Sequence, residues 1–143
     1  MKKNLKTLVA AICAVLTLGL TACQKDAEEL ILGTWVENEV IYNFTQGGET
    51  YNVPMLEPGE TNEITFNADG TYTTFYHSND GDAEGNGSWS INDDMITMTD
   101  EFGPMDYHID QLDKKVFNIS YSESDVDEDG PYTLSIVVKM TRK

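Results

Sequence analysis

Residues 63–76 read EITFNADGTYTTFY, two runs of β-branched and aromatic residues separated by Asn67-Ala68-Asp69-Gly70. An Asp-Gly pair between two such runs is the strongest short-range signal for a β-hairpin. The stretch therefore predicts two antiparallel strands, at about residues 63–66 and 71–76, joined by a tight turn.

The same pattern of short strands and turns continues along the rest of the chain. Apolar and polar residues alternate with a period of two in several runs, which is typical of half-buried strands. These predicted strands are residues 88–91, 95–98, 105–110, 117–121 and 132–140.

A first strand is predicted before the hairpin, at about residues 33–44. Trp35 occupies an odd-numbered position of this strand, whereas Val40, Tyr42 and Phe44 occupy even-numbered positions. Regular alternation would therefore place Trp35 on the opposite face from the other three. A bend or a β-bulge, which inserts one extra residue into a strand, would bring these side chains onto one face.

Segments rich in Gly, Pro and acidic residues are predicted as loops. They are Gln46 to Glu60, with an optional short strand at Glu49 to Val53, and the acidic segments Asn79 to Gly87 and Glu123 to Pro131. Asp26 with Glu29 three residues later forms a capping box, which predicts one short helix ahead of Gly33.

These elements define an all-β fold class. Eight main strands, nearly all joined as hairpins, predict an eight-stranded antiparallel up-and-down barrel with one short N-terminal helix. A barrel of eight strands encloses just enough space for core side chains or one small ligand.

Gly33-Thr34-Trp35, directly after the predicted helix, resembles the Gly-x-Trp with which lipocalins open their first strand. Ile64-Thr65-Phe66, Asp69-Gly70-Thr71-Tyr72 and Gly87-Ser88-Trp89 follow in the order found in small lipocalin-like domains of bacterial surface lipoproteins. The resemblance covers residues 30–143. It implies that Trp35, introduced by Gly33, closes one end of a barrel, and that Arg142 lies across Trp35.

The N-terminal residues have the pattern of a secretory signal peptide. Lys2, Lys3 and Lys6 precede an uncharged apolar stretch, Thr7 to Leu20. This stretch is too short for a transmembrane helix, which needs about 20 residues.

Leu20-Thr21-Ala22-Cys23 resembles the lipobox of bacterial lipoproteins. The resemblance implies cleavage between Ala22 and Cys23, a diacylglycerol on the Cys23 thiol, and a further acyl chain such as palmitate on the new amine. The alternative is a chance cysteine after a simple signal. The chain would then comprise a signal peptide (1–22), an acidic tether (23–29) and a lipocalin-like barrel domain (30–143).

The residues after Cys23 suggest a location. Lys25 followed by Asp26, Glu28 and Glu29 resembles the export signal that sends lipoproteins of some Gram-negative bacteria to the cell surface. We therefore predict a lipid-anchored protein of the outer membrane, exposed on the cell surface. The alternative is an acidic tether on a domain that faces the periplasm.

The charge of the chain excludes two classes of partner. The formal net charge is −16, and no Lys or Arg occurs between Asp26 and Asp113. Such a surface repels polyanions, so we expect neither nucleic acid nor an anionic membrane surface to bind the domain directly. Cys13 lies in the predicted signal peptide and Cys23 is predicted to be acylated, so no disulfide is expected.

The sequence predicts no enzyme, no cofactor and no metal. His108 shares one face of its predicted strand with Asp106 and Asp110, two residues to either side, and is interpreted as a solvated surface residue. No recognisable nucleophile motif is present. Asp125 to Gly130 matches the first half of an EF-hand loop, but the twelfth position is Ile136. Asp80 to Glu84 fails in the same way, so solvated loops are preferred over weak calcium sites.

Two hypotheses for function remain. In the first, a lipid-anchored barrel binds a small apolar or amphipathic ligand in a pocket lined by aromatic residues, with Phe66, Tyr72, Trp89, Tyr107 and Phe117 as candidates. In the second, these aromatics fill the barrel core, and loops contact an unidentified protein or glycan partner. An internal cavity above about 300 Å³ would favour the first hypothesis.

Overall fold

The computed structural model describes residues 25–143, which form one short helix and nine strands. The helix, α1, covers residues 25–31 and is neither long nor apolar enough to cross a membrane. The predicted signal peptide and Cys23 lie outside the described residues. The strands are β1 (Gly33–Gln46), β2 (Glu49–Pro54), β3 (Thr61–Phe66), β4 (Thr71–Ser78), β5 (Gly81–Asn92), β6 (Met95–Asp100), β7 (Gly103–Leu112), β8 (Val116–Asp127) and β9 (Gly130–Arg142).

Eight of these strands close into a barrel. Strands β3 to β9 pair in chain order, each antiparallel to the next, and β1 pairs with both β3 and β9. The seam between β1 and β9 runs from Trp35 opposite Arg142 to Gln46 opposite Tyr132. The predicted eight-stranded antiparallel barrel with one short helix is therefore confirmed.

The strand β2 lies outside the barrel. It pairs with residues 41–46 of β1, whereas β3 pairs only with residues 33–37. The second half of β1, together with β2 and the adjoining halves of β8 and β9, forms a four-stranded sheet that we call the extension. The optional short strand predicted at Glu49 to Val53 is thus confirmed.

A bulge in β1 brings the apolar side chains of its two halves onto the same face of the strand. The register against β9 shifts between Glu37 and Glu39, so Asn38 is the extra residue. Side chains alternate across a strand, so Trp35 and Glu37 lie on the same face of β1 before the bulge. The predicted bulge is confirmed, and it brings Val40 onto the interior face after it.

The two acidic segments predicted as loops are strands, and those predictions were wrong. Residues 81–88 of β5 pair with β4, and β8 and β9 pair out to Asp127 opposite Gly130. Both segments are rich in acidic residues, and the first is also rich in glycine; all of these are poor strand formers. The backbone of the neighbouring strand supplies hydrogen-bond partners all the same, so tertiary pairing outweighs local propensity.

The core is densest at the end of the barrel covered by α1. Trp35 is completely buried there, and its indole Nε1 donates a hydrogen bond to the carbonyl oxygen of Ile31, at 2.7 Å. The ring of Phe117 packs against it at 5.5 Å between centroids. The indole therefore ties the last turn of α1 to the barrel interior and plugs this end.

Arg142 lies over the outer face of the same indole, with its guanidinium carbon 4.2 Å from the ring centroid. It donates hydrogen bonds to the carbonyl oxygens of Leu32 (2.7 Å), Lys114 (2.9 Å) and Leu30. A Cβ atom at Gly33, whose φ is +109°, would come within 3.0 Å of Arg142 Nη1. Arg142 thus joins the end of α1, the β7–β8 turn and Trp35 in one cluster.

Trp35→Ala is expected to lower the melting temperature by roughly ten degrees or more. The substitution leaves a cavity in a closely packed core, which costs about 3–5 kcal/mol. Thermal unfolding followed by circular dichroism measures the shift. Phe102→Ala is the matched control, because Phe102 is 91% exposed and contributes little to the core. A Trp35→Ala protein as stable as wild type would contradict the role of Trp35 as the plug.

Candidate functional site

The barrel interior remains partly open at the end opposite α1. A cavity of about 350 Å³ lies there, with walls supplied by β1, β3, β4, β6 and β7. Its apolar lining includes Ile64, Met98 and Met105, and Phe102 stands at its mouth. The turns that join β3 to β4 and β5 to β6 lie at the plugged end of the barrel. The β6–β7 turn lies at the opposite end, where it frames this cavity.

Glu37 and Asn62 form a polar pair in the cavity wall. They lie directly opposite each other across β1 and β3, and the Asn62 side chain hydrogen-bonds to the Glu37 carboxyl. Burial raises the pKa of Glu37, and the hydrogen bond from Asn62 opposes this effect. Among the described residues, neither Lys139, which pairs with Glu39, nor any other cation forms an ion pair with Glu37.

The Asn62 side chain also carries an unsatisfied atom. Its oxygen, Oδ1, is covered from solvent and has no hydrogen-bond partner in the described part of the chain. A buried polar atom without a partner costs about 1–3 kcal/mol. The unpaired oxygen of Asn62 therefore lowers the stability of the folded protein.

Two phenols complete the polar lining, those of Tyr72 and Tyr107. Burial, with a contribution from the negative charge of Glu37, raises the pKa of Tyr107 to about 12. Burial, with the nearby charge of Asp100, also raises the pKa of Tyr72. Both hydroxyl groups therefore stay protonated at neutral pH and remain able to donate hydrogen bonds.

A second space, the side cleft, opens through the barrel wall next to this cavity. It has a volume of about 760 Å³ and lies between β5 and the β6–β7 turn. It forms because β6 pairs with β5 only from Ser88 onward, which leaves that edge of residues 81–87 unpaired. The cleft and the cavity share Tyr72, Thr74, Asp100 and Phe102, so the cleft leads into the cavity.

Glycine is required at one point of the cleft wall. A Cβ atom at Gly87 would lie 2.7 Å from the Tyr72 ring and closer still to the carbonyl oxygen of Thr99. A side chain at this position would push the Tyr72 ring away. Gly87 therefore allows Tyr72 to occupy the boundary between the cleft and the cavity.

The five aromatic candidates divide into two groups. Tyr72 and Tyr107 line the cavity, whereas Phe66, Trp89 and Phe117 are not among its lining residues. Phe66 packs edge-on against Trp89 and Phe117, at 5.8 and 5.9 Å between ring centroids. These three side chains fill the core between the plug and the cavity.

Sequence reasoning missed the acidic and amide residues of the cavity. Glu37 could have been found, because it follows Trp35 by two residues and so shares its face ahead of the bulge. Asn62, Met98 and Asp100 carry no comparable signal. Their position depends on which strand ends meet around the mouth of the barrel.

His108 lies away from the cavity, on the exposed outer face of β7. Its Nδ1 and Nε2 atoms lie 3.0 Å from carboxylate oxygens of Asp110 and Asp94, respectively. Hydrogen bonding to Asp110, and then to Asp94, raises the pKa of His108. The predicted neighbour Asp106 instead accepts a hydrogen bond from Thr97.

The acidic segments that resemble calcium loops lie on hairpins. Asp80 to Glu84 spans the β4–β5 turn, and Asp125 to Gly130 spans the β8–β9 turn. Within residues 25–143, no group of three or more His, Cys, Asp or Glu side chains is arranged to hold a metal ion.

A closed antiparallel barrel with one plugged end and an internal cavity belongs to the class of small barrels that can enclose a single ligand. A family model for the lipocalin-like domain matches residues 31–135. The match covers more than half of the chain, so the protein belongs to the lipocalin-like domain family. A search of curated proteins finds no match to this chain. The family and the barrel together suggest ligand binding in general.

Glu37→Gln is expected to raise the free energy of unfolding at pH 7, because a neutral amide avoids the cost of burying a charge. The pKa of Glu37 is raised in the folded state. The penalty is therefore fully present above that folded pKa, and it disappears as the pH falls below the unfolded value, about 4.3. Urea unfolding at pH 7 and at acidic pH measures the difference.

Glu39→Gln is the matched control for this substitution. It removes a partly exposed ion pair with Lys139, in which the charged atoms lie 2.6 Å apart. Such pairs contribute no more than about 1 kcal/mol, so the control should be equal to wild type or slightly less stable. If Glu37→Gln were no more stable than wild type at pH 7, the carboxylate would not be a destabilising group.

Proposed function

We propose that this protein is a lipid-anchored lipoprotein of the cell envelope whose barrel binds a small apolar or amphipathic ligand in the cavity at its open end. The observation that carries the proposal is the cavity itself, whose volume of about 350 Å³ falls within the range of small-molecule sites. Its lining combines apolar side chains such as Ile64 and Met98 with a few convergent polar groups, as such sites do. The proposal includes no catalytic activity, cofactor or metal.

The anchor and the barrel fit together geometrically. The lipobox resemblance places the acyl chains on Cys23, two residues before Lys25, where the described structure begins. The helix α1 covers the plugged end of the barrel, so a membrane attachment through Cys23 would leave the open end facing away from the bilayer. Two or three acyl chains provide stable anchoring, which a single chain does not.

The acidic tract after Cys23 supports placement at the outer face of the outer membrane. A surface position also suits the strongly acidic composition, since the charge keeps the domain soluble and away from anionic lipid. A periplasm-facing position remains the alternative outcome of the localisation experiment below.

One surface favours a second candidate function, contact with a protein or glycan partner. On the extension, Tyr51 is 54% exposed and Val53 is 48% exposed. The strand register places them on the same face as Phe44, whose ring packs against Tyr132 at 5.7 Å. An aromatic face of this kind is typical of interaction surfaces.

Thr74→Phe should block the cavity. Thr74 lines it from β4, and the larger ring would occupy the space of a ligand. We expect the affinity for the neutral fluorescent probe N-phenyl-1-naphthylamine to fall by roughly tenfold, or about 1.4 kcal/mol. The matched control is Thr73→Phe, whose side chain points outward from the same strand and is exposed. Its affinity should match wild type.

Two results would overturn the cavity as the ligand site. One is the absence of probe binding to the wild-type barrel. The other is equal binding by the Thr74→Phe and Thr73→Phe proteins. If binding were instead lost in a Tyr51→Ala, Val53→Ala double variant, the extension would be the site, and the second candidate function would be favoured.

Cys23→Ser should abolish lipidation and processing in the native host. The variant is expected to keep its signal peptide, so it should be larger than the processed wild-type protein on a denaturing gel, and it should take up no radiolabelled palmitate. Cys13→Ser is the matched control, because Cys13 lies inside the predicted signal peptide. Digestion of wild-type protein by a protease added to intact cells tests surface exposure. Processing and palmitate labelling of the Cys23→Ser variant equal to those of wild type would contradict the anchor.

A further inference from the structure

The charged side chains of the cavity wall are all negative. Glu37 and Asp100 both line the cavity, and none of its lining residues among residues 25–143 is a lysine, arginine or histidine. A buried carboxylate without a counter-charge is strongly unfavourable, because the desolvation cost is not repaid by an ion pair. The cavity therefore carries negative charge that the protein itself does not neutralise.

Other groups reinforce this polarity. The Oδ1 atom of Asn62, whose amide also hydrogen-bonds to Glu37, is a further acceptor in the cavity wall without a partner among the described residues. The side cleft that leads into the cavity adds Glu84 and Glu101 to Asp100. Clefts lined by charges of one sign concentrate ions of the opposite sign, so a cation is attracted along the whole approach.

The remaining lining is apolar. Ile64 lies at the base of the cavity, and Met98 and Met105 stand opposite each other on paired strands β6 and β7. Methionine side chains are flexible and polarisable, and they adapt to irregular apolar ligands. Phe102, which is 91% exposed, extends the apolar surface beyond the mouth.

We propose that the ligand of this cavity is an amphipathic amine, whose protonated amino group pairs with the Glu37 carboxylate and whose apolar part lies against Ile64, Met98 and Met105. The inference rests on the proposed ligand cavity and specifies the chemical class of its ligand. The ammonium group supplies the counter-charge that the wall lacks. Its N–H groups match acceptors such as the Glu37 carboxylate, and the Asn62 amide can turn to offer another.

An anionic amphiphile such as a fatty acid fits the same space less well. Its carboxylate would approach both Glu37 and Asp100, and like charges at short range repel each other strongly where water is excluded. The phenols of Tyr72 and Tyr107 could donate hydrogen bonds to an anion, but neither phenol carries a positive charge. The two carboxylates therefore decide the preference.

Three probes with the same alkyl chain isolate the head group: octylammonium, octanoate and 1-octanol. Affinities are measured with the full domain at pH 7 by displacement of N-phenyl-1-naphthylamine and by titration calorimetry. We expect octylammonium to bind at least about tenfold more tightly than octanoate, with 1-octanol between them. Glu37→Gln should lower the affinity for octylammonium by roughly tenfold, whereas it should change the affinity for 1-octanol by less than about twofold. Glu39→Gln should change neither affinity.

The outcomes separate this inference from the proposed function. If 1-octanol and octanoate bind in a manner blocked by Thr74→Phe, but octylammonium shows no preference and is insensitive to Glu37→Gln, the cavity binds ligands and the amine inference is wrong. The amine inference is also wrong if Glu37→Gln and Thr74→Phe both bind octylammonium as tightly as wild type does, because the contact is then with surface charge. If none of the three probes binds the wild-type cavity, the proposed function fails, and the inference fails with it.

Discussion

The stacking of Arg142 on Trp35 fixes the end of the barrel from which the rest of the structure is built. A helix leaves its last carbonyl oxygens without partners, and an arginine has five N–H donors to place. Arg142 meets both needs, because it donates to the carbonyl oxygens of Leu30 and Leu32 at the end of α1 and of Lys114 in the neighbouring β7–β8 turn. With this end sealed, the interior faces of the strands are fixed, and the open space is left at the other end.

The bulge at Asn38 explains why a carboxylate faces the interior. Trp35 has to point inward to form the plug, and strand alternation then turns Glu37 inward as well. The extra residue shifts the alternation of side chains by one position, so that the apolar side chain of Val40 follows on the interior face. Glu37 therefore occupies the last interior position before the bulge, where the dense core gives way to the cavity. An apolar residue there would be the stabler choice, which makes the carboxylate informative about function.

Local signals in the sequence were enough for much of the fold. The Asp69-Gly70 turn, the short helix ahead of Gly33 and the bulge in β1 each depend on neighbouring residues, and each was predicted. The strand character of residues 81–87 was not predictable in this way, because it comes from the backbone of β4 rather than from the residues' own propensity. The cavity was harder still. The pairing of Glu37 with Asn62 depends on the register between strands, which no single stretch of sequence contains.

The seam between β1 and β9 has a consequence for how the barrel assembles. From β3 to β9 each strand pairs with the next one along the chain, whereas the contact of Arg142 with Leu32 joins residues 110 apart. Hairpins close short loops and form early, but joining distant segments costs more chain entropy and is slow. The seam is therefore the last part of the barrel to form. Until it does, β1 and β9 both present unpaired edges to other chains, so aggregation competes with folding at this one step.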